Sequence, residues 1–140
     1  MTAALFHYSH RVRFEEIDAA GLVYFARYFS WCHDAMGAML APLAGGYAEL
    51  VRRRLGLPAV HVEADYSAPL RFGDQVRIAA QVERVGTSSC VLRFEIERTP
   101  DGTRIAVVKH VVVLTDLDAM RPQPFPEDVR TLLEFHRATP

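Results

Sequence analysis

Asp18-Ala19-Ala20-Gly21-Leu22-Val23-Tyr24-Phe25-Ala26-Arg27-Tyr28-Phe29 joins two stretches of different hydrophobic period. Before it, in residues 6–17, Val12 and Phe14 alternate with Arg11, Arg13 and Glu15, the period of a strand. After it, apolar residues recur every three or four positions, the period of a helix. Asp18 thus closes a strand, a small-residue turn follows in which Gly21 supplies an unusual backbone angle, and a helix begins near Tyr24. This sets a carboxylate beside the unpaired N–H groups of a helix start. A carbonyl oxygen that gains negative charge during acyl transfer is stabilised at such a place. The same residues fit a plainer role, in which Asp18 only caps the helix or closes an Asx turn.

Working outward, residues 24–40 carry Phe25, Tyr28, Phe29, Cys32, Ala35, Met36, Met39 and Leu40 at helical spacing. Ala26, Trp31 and Ala38 fall outside that stripe, which predicts a helix apolar on more than one face and wrapped by a sheet. Pro42 and Gly45-Gly46 break it, and residues 47–55 read as a short second helix ended by Gly56. Strand patterns follow at residues 59–69, 75–85, 88–98 and 103–116. Arg71-Phe72-Gly73-Asp74, Gly86-Thr87 and Pro100-Asp101-Gly102 read as hairpin turns between them, which predicts a four-stranded antiparallel meander. The last strand, with Ile105-Ala106-Val107-Val108 and Val111-Val112-Val113-Leu114, is nearly continuous in apolar residues and is expected to be central and covered on both faces. Residues 124–136 read as a terminal helix, because Pro126, Glu127 and Asp128 suit a first turn. The class is α+β with an antiparallel sheet.

The chain has 140 residues, 50% hydrophobic and 24% charged, which fits one domain with a real core. A formal net charge of −1 offers no global field for nucleic acid or an anionic membrane, so a phosphorylated ligand has to be held locally. No apolar run approaches the roughly 20 residues of a membrane span. The start, Met1-Thr2-Ala3-Ala4-Leu5-Phe6-His7, lacks the basic and long apolar parts of a secretory signal. Cys32 and Cys90, the two cysteines, make no disulfide framework and read as small core residues, so the expected compartment is the cytoplasm. The six histidines show no metal-ligand spacing. A Gly-x-Ser-x-Gly nucleophile turn, a phosphate loop and a basic-aromatic array are all missing.

The run Asp18, Gly21, Leu22, Val23, Tyr24 resembles the Asp-x-x-Gly-hydrophobic-Val-aromatic signature of hotdog-fold acyl-CoA thioesterases, in particular the 4-hydroxybenzoyl-CoA and 1,4-dihydroxy-2-naphthoyl-CoA thioesterases. Leu57-Pro58-Ala59-Val60-His61-Val62-Glu63-Ala64-Asp65-Tyr66-Ser67-Ala68-Pro69 and Phe72-Gly73-Asp74 are similar to the second strand and following turn of that family. The likeness covers most of residues 10–116. Around Asp18-Ala19-Ala20-Gly21, Cys32-His33, Leu57-Pro58 and His61 it is nearest to the dihydroxynaphthoyl branch.

The resemblance implies one hotdog domain over residues 1–140, a five-stranded antiparallel sheet wrapped around a long central helix. It implies an acyl-CoA thioesterase in which Asp18 is nucleophile or general base, the Phe25 backbone N–H polarises the thioester carbonyl, and Gly21 lines the same turn. A subgroup acting on short aliphatic acyl-CoA thioesters has His where this chain has Phe25, so the likeness points to an aromatic acyl group, with Tyr24 beside it. On the second strand, His61 and Ser67 would touch the acyl group of a neighbouring subunit; each equally fits a hydrogen-bonded polar residue at a strand edge. His33 reads as a buried, paired histidine. Where some relatives carry a basic cluster for the CoA phosphates, this chain has the uncharged Thr87, Ser88 and Ser89, with Arg84, Arg93 and Lys109 as alternatives. Coenzyme A is part of the substrate, so no separate cofactor or metal is expected. The implied partners are acyl-CoA and further copies of the chain, as a dimer or dimer of dimers, without nucleic acid or membrane. The other reading is a hotdog protein that holds an acyl thioester, on CoA or an acyl-carrier protein, without hydrolysing it.

Overall fold

The structure is a computed structural model and describes residues 5–43 and 45–137. Met1–Ala4, part of the stretch read for a secretory signal, therefore lie outside the described residues. In chain order the elements are β1 (Phe6–Arg11), a single 3-10 turn (Phe14–Glu16), α1 (Arg27–Met39), α2 (Tyr47–Arg52), β2 (Leu55–Gly56), β3 (Ala59–Tyr66), β4 (Gln75–Val85), β5 (Ser89–Thr99), β6 (Thr103–Val113), β7 (Thr115–Asp116), β8 (Arg121–Pro122) and α3 (Glu127–Phe135).

Five strands form one antiparallel sheet in the order β1-β4-β5-β6-β3, and β2, β7 and β8 form a small second sheet. Only β4, β5 and β6 form the expected meander. β3 pairs with β6 at the far edge, with Val62 opposite His110 and Tyr66 opposite Ala106. Arg71-Phe72-Gly73-Asp74 is therefore no hairpin turn: it carries the chain from one side of the sheet to the other. A turn's residue types set its local path and do not say which strand lies next to it.

α1 packs on the inner face of this sheet. Its buried residues are Tyr28, Trp31, Cys32, Ala35, Met36 and Met39, one helical stripe that includes Trp31. Arg27, Ser30, His33 and Asp34 are exposed, so the helix has a solvent face after all. It is also shorter than residues 24–40, with 13 residues from Arg27 to Met39. Tyr24, Phe25 and Ala26 precede it in a turn, which is why Phe25 need not fit its buried stripe. β1 is likewise shorter than residues 6–17, because the chain leaves the sheet at Val12 and coils into the 3-10 turn.

β6 lies between two strands, but its burial alternates. Ala106, Val108, His110 and Val112 are buried, while Val107, Val111 and Val113 are only half-buried on the outer face. The strand ends at Val113 because Leu114 turns away and β7 joins the small sheet. α3 covers the end of the core with Val129 and Leu133, and its last turn docks on β4 through Val82 N–H donating to His136 O at 2.9 Å. Cys32 and Cys90 are buried and free. Burial pushes both thiols up, with a smaller push from Glu134 on Cys90, which reaches about 12. Among the described residues no helix is long and apolar enough to cross a membrane.

Candidate active site

Asp18 lies at the mouth of a tight hairpin. Asp18 N–H donates to Leu22 O at 2.8 Å, and Gly21 N–H donates to Asp18 O at 2.9 Å. Gly21 has φ +78°, the left-handed region where a side chain is strained. Asp18 Oδ1 accepts from Ala20 N–H at 2.9 Å and from Leu22 N–H at 3.3 Å. The Asx turn is thus real, and it occupies one carboxylate oxygen. Asp18 Oδ2 has no recorded partner among the described residues, and the side chain is exposed. The plainer role and a chemical one are therefore compatible: one oxygen holds the turn and the other is free.

The returning arm of the hairpin leads to the second element. Val23 N–H donates to Leu70 O and Tyr24 N–H to Glu16 O, both at 2.9 Å. Arg27 N–H donates back to Tyr24 O at 2.9 Å, closing the turn before α1. The Phe25 N–H between them has no acceptor among the described residues. It is a free backbone donor one residue before the helix cap, Ala26, where the partial positive end of the helix adds to it. Tyr66, at the end of β3, donates its hydroxyl to Phe25 O at 2.9 Å. Its ring meets Tyr28 edge-on at 5.0 Å. Burial, with a contribution from Cys32, pushes the Tyr66 hydroxyl up, so it stays protonated as that donor. In the sequence Tyr66 is only one residue of a strand-like run; its hold on the Phe25 peptide needs the third dimension to be seen.

Asp18, Gly21, Tyr24 and Phe25 come together on one hairpin. The Tyr24 and Phe25 rings sit 4.8 Å apart and are 47% and 58% exposed. Ser67 follows Tyr66 and donates its N–H to Ile105 O at 2.8 Å, but its side chain is exposed. Val62 and Tyr66 face α1, and strand alternation puts His61 on the opposite face, exposed and 3.9 Å from Glu63. Within one chain His61 does not meet Asp18. Nor do Thr87, Ser88 and Ser89, which sit at the other end of β4, roughly 35 Å away at about 3.4 Å per residue. Their turn is not without charge, however. Arg130 of α3 donates Nη2 to Gly86 O at 2.8 Å and to Thr87 O at 3.2 Å. No local signal could have paired residues so far apart in sequence.

Between α1 and β3 runs an open groove of about 540 Å³, lined by Phe29, His33 and Met36 on one side and Leu57, Pro58 and Val62 on the other. His110 and Val112 of β6 form its floor. His110 is buried between Phe29, at 5.9 Å, and Phe94, at 5.2 Å, and its Nε2 has no hydrogen-bond partner among the described residues. Burial, helped by His33, holds its pKa down at about 4, so the ring is neutral at pH 7. His33 is exposed rather than buried, and it stacks on Tyr47 at 4.7 Å. Among the described residues no group of His, Cys, Asp and Glu side chains is arranged to hold a metal ion.

Comparison with known proteins gives a consistent picture. A model of the thioesterase-like superfamily matches residues 12–133. A 1,4-dihydroxy-2-naphthoyl-CoA hydrolase from Prochlorococcus marinus (strain NATL2A) is 34% identical over 110 residues, 73% of this chain and 71% of the relative. A gentisyl-coenzyme A thioesterase structure superposes with a TM-score of 0.81 at 29% identity, covering 89% of this chain and 98% of that one. The fold also matches a 1,4-dihydroxy-2-naphthoyl-CoA thioesterase from Synechocystis, with a TM-score of 0.85 at 23% identity over 93% of this chain and 96% of that one.

Proposed function

The chain belongs to the thioesterase-like superfamily, and we propose that it hydrolyses the CoA thioester of a hydroxylated aromatic acid, a benzoate or a naphthoate. The observation that carries this reading is the pair of unused groups on one hairpin: the free Asp18 Oδ2 and the free Phe25 N–H. The thioester carbonyl oxygen takes the Phe25 N–H, whose hydrogen bond strengthens as negative charge builds on that oxygen. Such a donor is worth about 3 kcal/mol in the transition state. Asp18 Oδ2 either attacks the carbonyl carbon or takes a proton from the water that does. The carbon–sulfur bond breaks, CoA leaves as its thiol, and water supplies the hydroxyl of the released acid. Phe25 carries no titratable group, so the proton transfers fall to Asp18 and water.

The aromatic preference is supported by the substrates named for the relatives and by the composition of the walls. Tyr24 and Phe25 are exposed aromatic rings 4.8 Å apart at the hairpin, and Phe29 lines the groove. Each ring contact adds about 0.5–1.5 kcal/mol beyond area burial. Two such contacts favour an aryl thioester by about tenfold to a hundredfold in kcat/KM. For the CoA phosphates we propose the β4–β5 turn of a second copy, with its Arg130 behind it, and for the acyl group a wall that includes His61 and Ser67 of a second copy. The exposure of Tyr24 and Phe25 in one chain supports such a cover. A thiol-release assay with 4-hydroxybenzoyl-CoA, 1,4-dihydroxy-2-naphthoyl-CoA and butyryl-CoA tests the reading. An aryl substrate is expected to lead butyryl-CoA by at least about tenfold. Equal rates overturn the aryl preference, and no thiol release from any of the three overturns the activity.

A further inference from the structure

Among the described residues Glu16 is the buried acid, and the reaction above does not use it. It is 7% exposed, against the exposed Glu15 beside it. Every side-chain contact it makes is a strong one. Oε1 accepts from Arg13 N–H at 2.8 Å and lies 2.8 Å from His10 Nε2. Oε2 accepts from Trp31 Nε1 at 2.6 Å. His10 and Trp31 in turn pack their rings at 4.7 Å. Burying a carboxylate is costly unless donors surround it, so this one would not persist as a bystander.

Its connections lead to the site from both sides. Trp31 stands on α1, the helix whose start presents the Phe25 N–H. The Glu16 backbone O accepts the Tyr24 N–H at 2.9 Å, one residue before Phe25. Two residues after Glu16 comes Asp18, and Ile17 bridges to Val23 across the same hairpin. Thus one residue grips α1 with its side chain and the returning arm of the hairpin with its backbone oxygen, and it leads directly into the outgoing arm. The separation between the Asp18 carboxylate and the Phe25 donor depends on how the hairpin sits against α1; among the described residues the 3-10 turn is tied to that helix by the Glu16 carboxylate on Trp31 and by Arg27 Nη2 donating to Glu15 O at 3.1 Å, and only the first of these links is buried.

We infer that Glu16 is a positioning residue for hydrolysis: through Trp31 and the Tyr24 peptide it sets the spacing between Asp18 and the Phe25 N–H. The inference rests on the thioesterase reading. It predicts a particular kinetic signature, because a displaced hairpin spoils the transition-state geometry and leaves the aryl and CoA contacts in place. Misplacement of reacting groups by about 1 Å costs on the order of a hundredfold.

The test compares Glu16→Gln, Trp31→Phe and the double variant with the wild type and with Asp18→Asn, using 1,4-dihydroxy-2-naphthoyl-CoA at a temperature where circular dichroism shows each protein folded. Glu16→Gln is expected to lower kcat by about tenfold to a hundredfold with KM within twofold. Trp31→Phe keeps an aromatic ring, though a smaller one, and removes the donor to Oε2, so it is expected to lower kcat in the same way. The double variant is expected to lose little more than the worse single one, since both cut one link. A merely structural role gives a lower melting temperature with kcat per folded enzyme unchanged, and that result overturns the inference. If Glu16→Gln does not fold, Trp31→Phe decides on the same criterion. A wild type that releases thiol from none of the three CoA thioesters overturns the thioesterase reading instead, and an Asp18→Asn variant as active as wild type removes Asp18 from the chemistry and this inference with it.

Discussion

At the scale of the residue, the two oxygens of Asp18 have different tasks. Oδ1 closes the Asx turn on Ala20 and Leu22, and Oδ2 is free. Asp18→Asn keeps an acceptor for the turn and loses the nucleophile and base. Its kcat is expected to fall by about a hundredfold or more with KM and melting temperature near wild type; steady-state kinetics retaining a tenth of wild-type kcat would remove Asp18 from the chemistry. His110 makes a second prediction, about pH. Its folded pKa of about 4 lies below the ordinary 6.5, so the unfolded chain takes up the proton first. Its contribution is complete above about pH 6.5, falls as pH drops towards about 4, and is then flat, a change of about 3 kcal/mol. In urea unfolding, His110→Phe is expected to flatten the pH dependence in that window and to be at least as stable at pH 7, because an unpaired buried nitrogen is gone. An unchanged slope would refute this. Glu16 acts lower on the scale. Burial raises its pKa, but the hydrogen bonds from Trp31, Arg13 and His10 outweigh that and hold it below the usual carboxylate range, so its contribution is lost only as pH falls through that lowered value.

At the scale of the element, the hairpin between β1 and α1 is the part of the fold where backbone geometry and chemistry coincide. It was the most legible piece of the sequence, because Asp18 and Gly21 are residue types chosen for turn conformation and their spacing is local. The helix boundary was less legible. Tyr24-Phe25-Ala26 carries apolar residues that continue a helical period, while the Tyr24 N–H bond to Glu16 O holds the backbone in the hairpin instead. The Glu16 cluster left no mark at all: Glu15 and Glu16 are the same residue type side by side, and only burial separates them. The turn itself is testable at Gly21. No atom crowds a Cβ there, but φ +78° penalises any side chain. Gly21→Ala is expected to cost about 1–2 kcal/mol in urea unfolding, from backbone strain alone. A variant as stable as wild type would mean that the loop adopts another conformation in solution.

At the scale of the whole molecule, one chain leaves its candidate site open. β3 is an edge strand, with Val60 64% and Val62 43% exposed, and Tyr24 and Phe25 stand uncovered beside it. Such an edge invites pairing with another chain, and we expect at least a dimer; sedimentation that shows an active monomer of about 15.8 kDa would contradict this. The long-range arrangement also separates what the sequence determined from what it left open. Hydrophobic period, turn residues and the Asp18-to-Tyr24 run determined the three helices and five long strands, their order, the α+β class and the hairpin of the candidate site, because each is written in contacts between residues near in sequence, while the 3-10 turn and the short strands β2, β7 and β8 left no such pattern. Strand order, the placement of β3 against β6, the burial of His110 between Phe29 and Phe94, Arg130 against Thr87 and the buried grip of Glu16 on Trp31 were decided only by the tertiary structure. Each joins residues whose local surroundings are the same whether or not they meet, and the packing of one core around α1 selects which of them do.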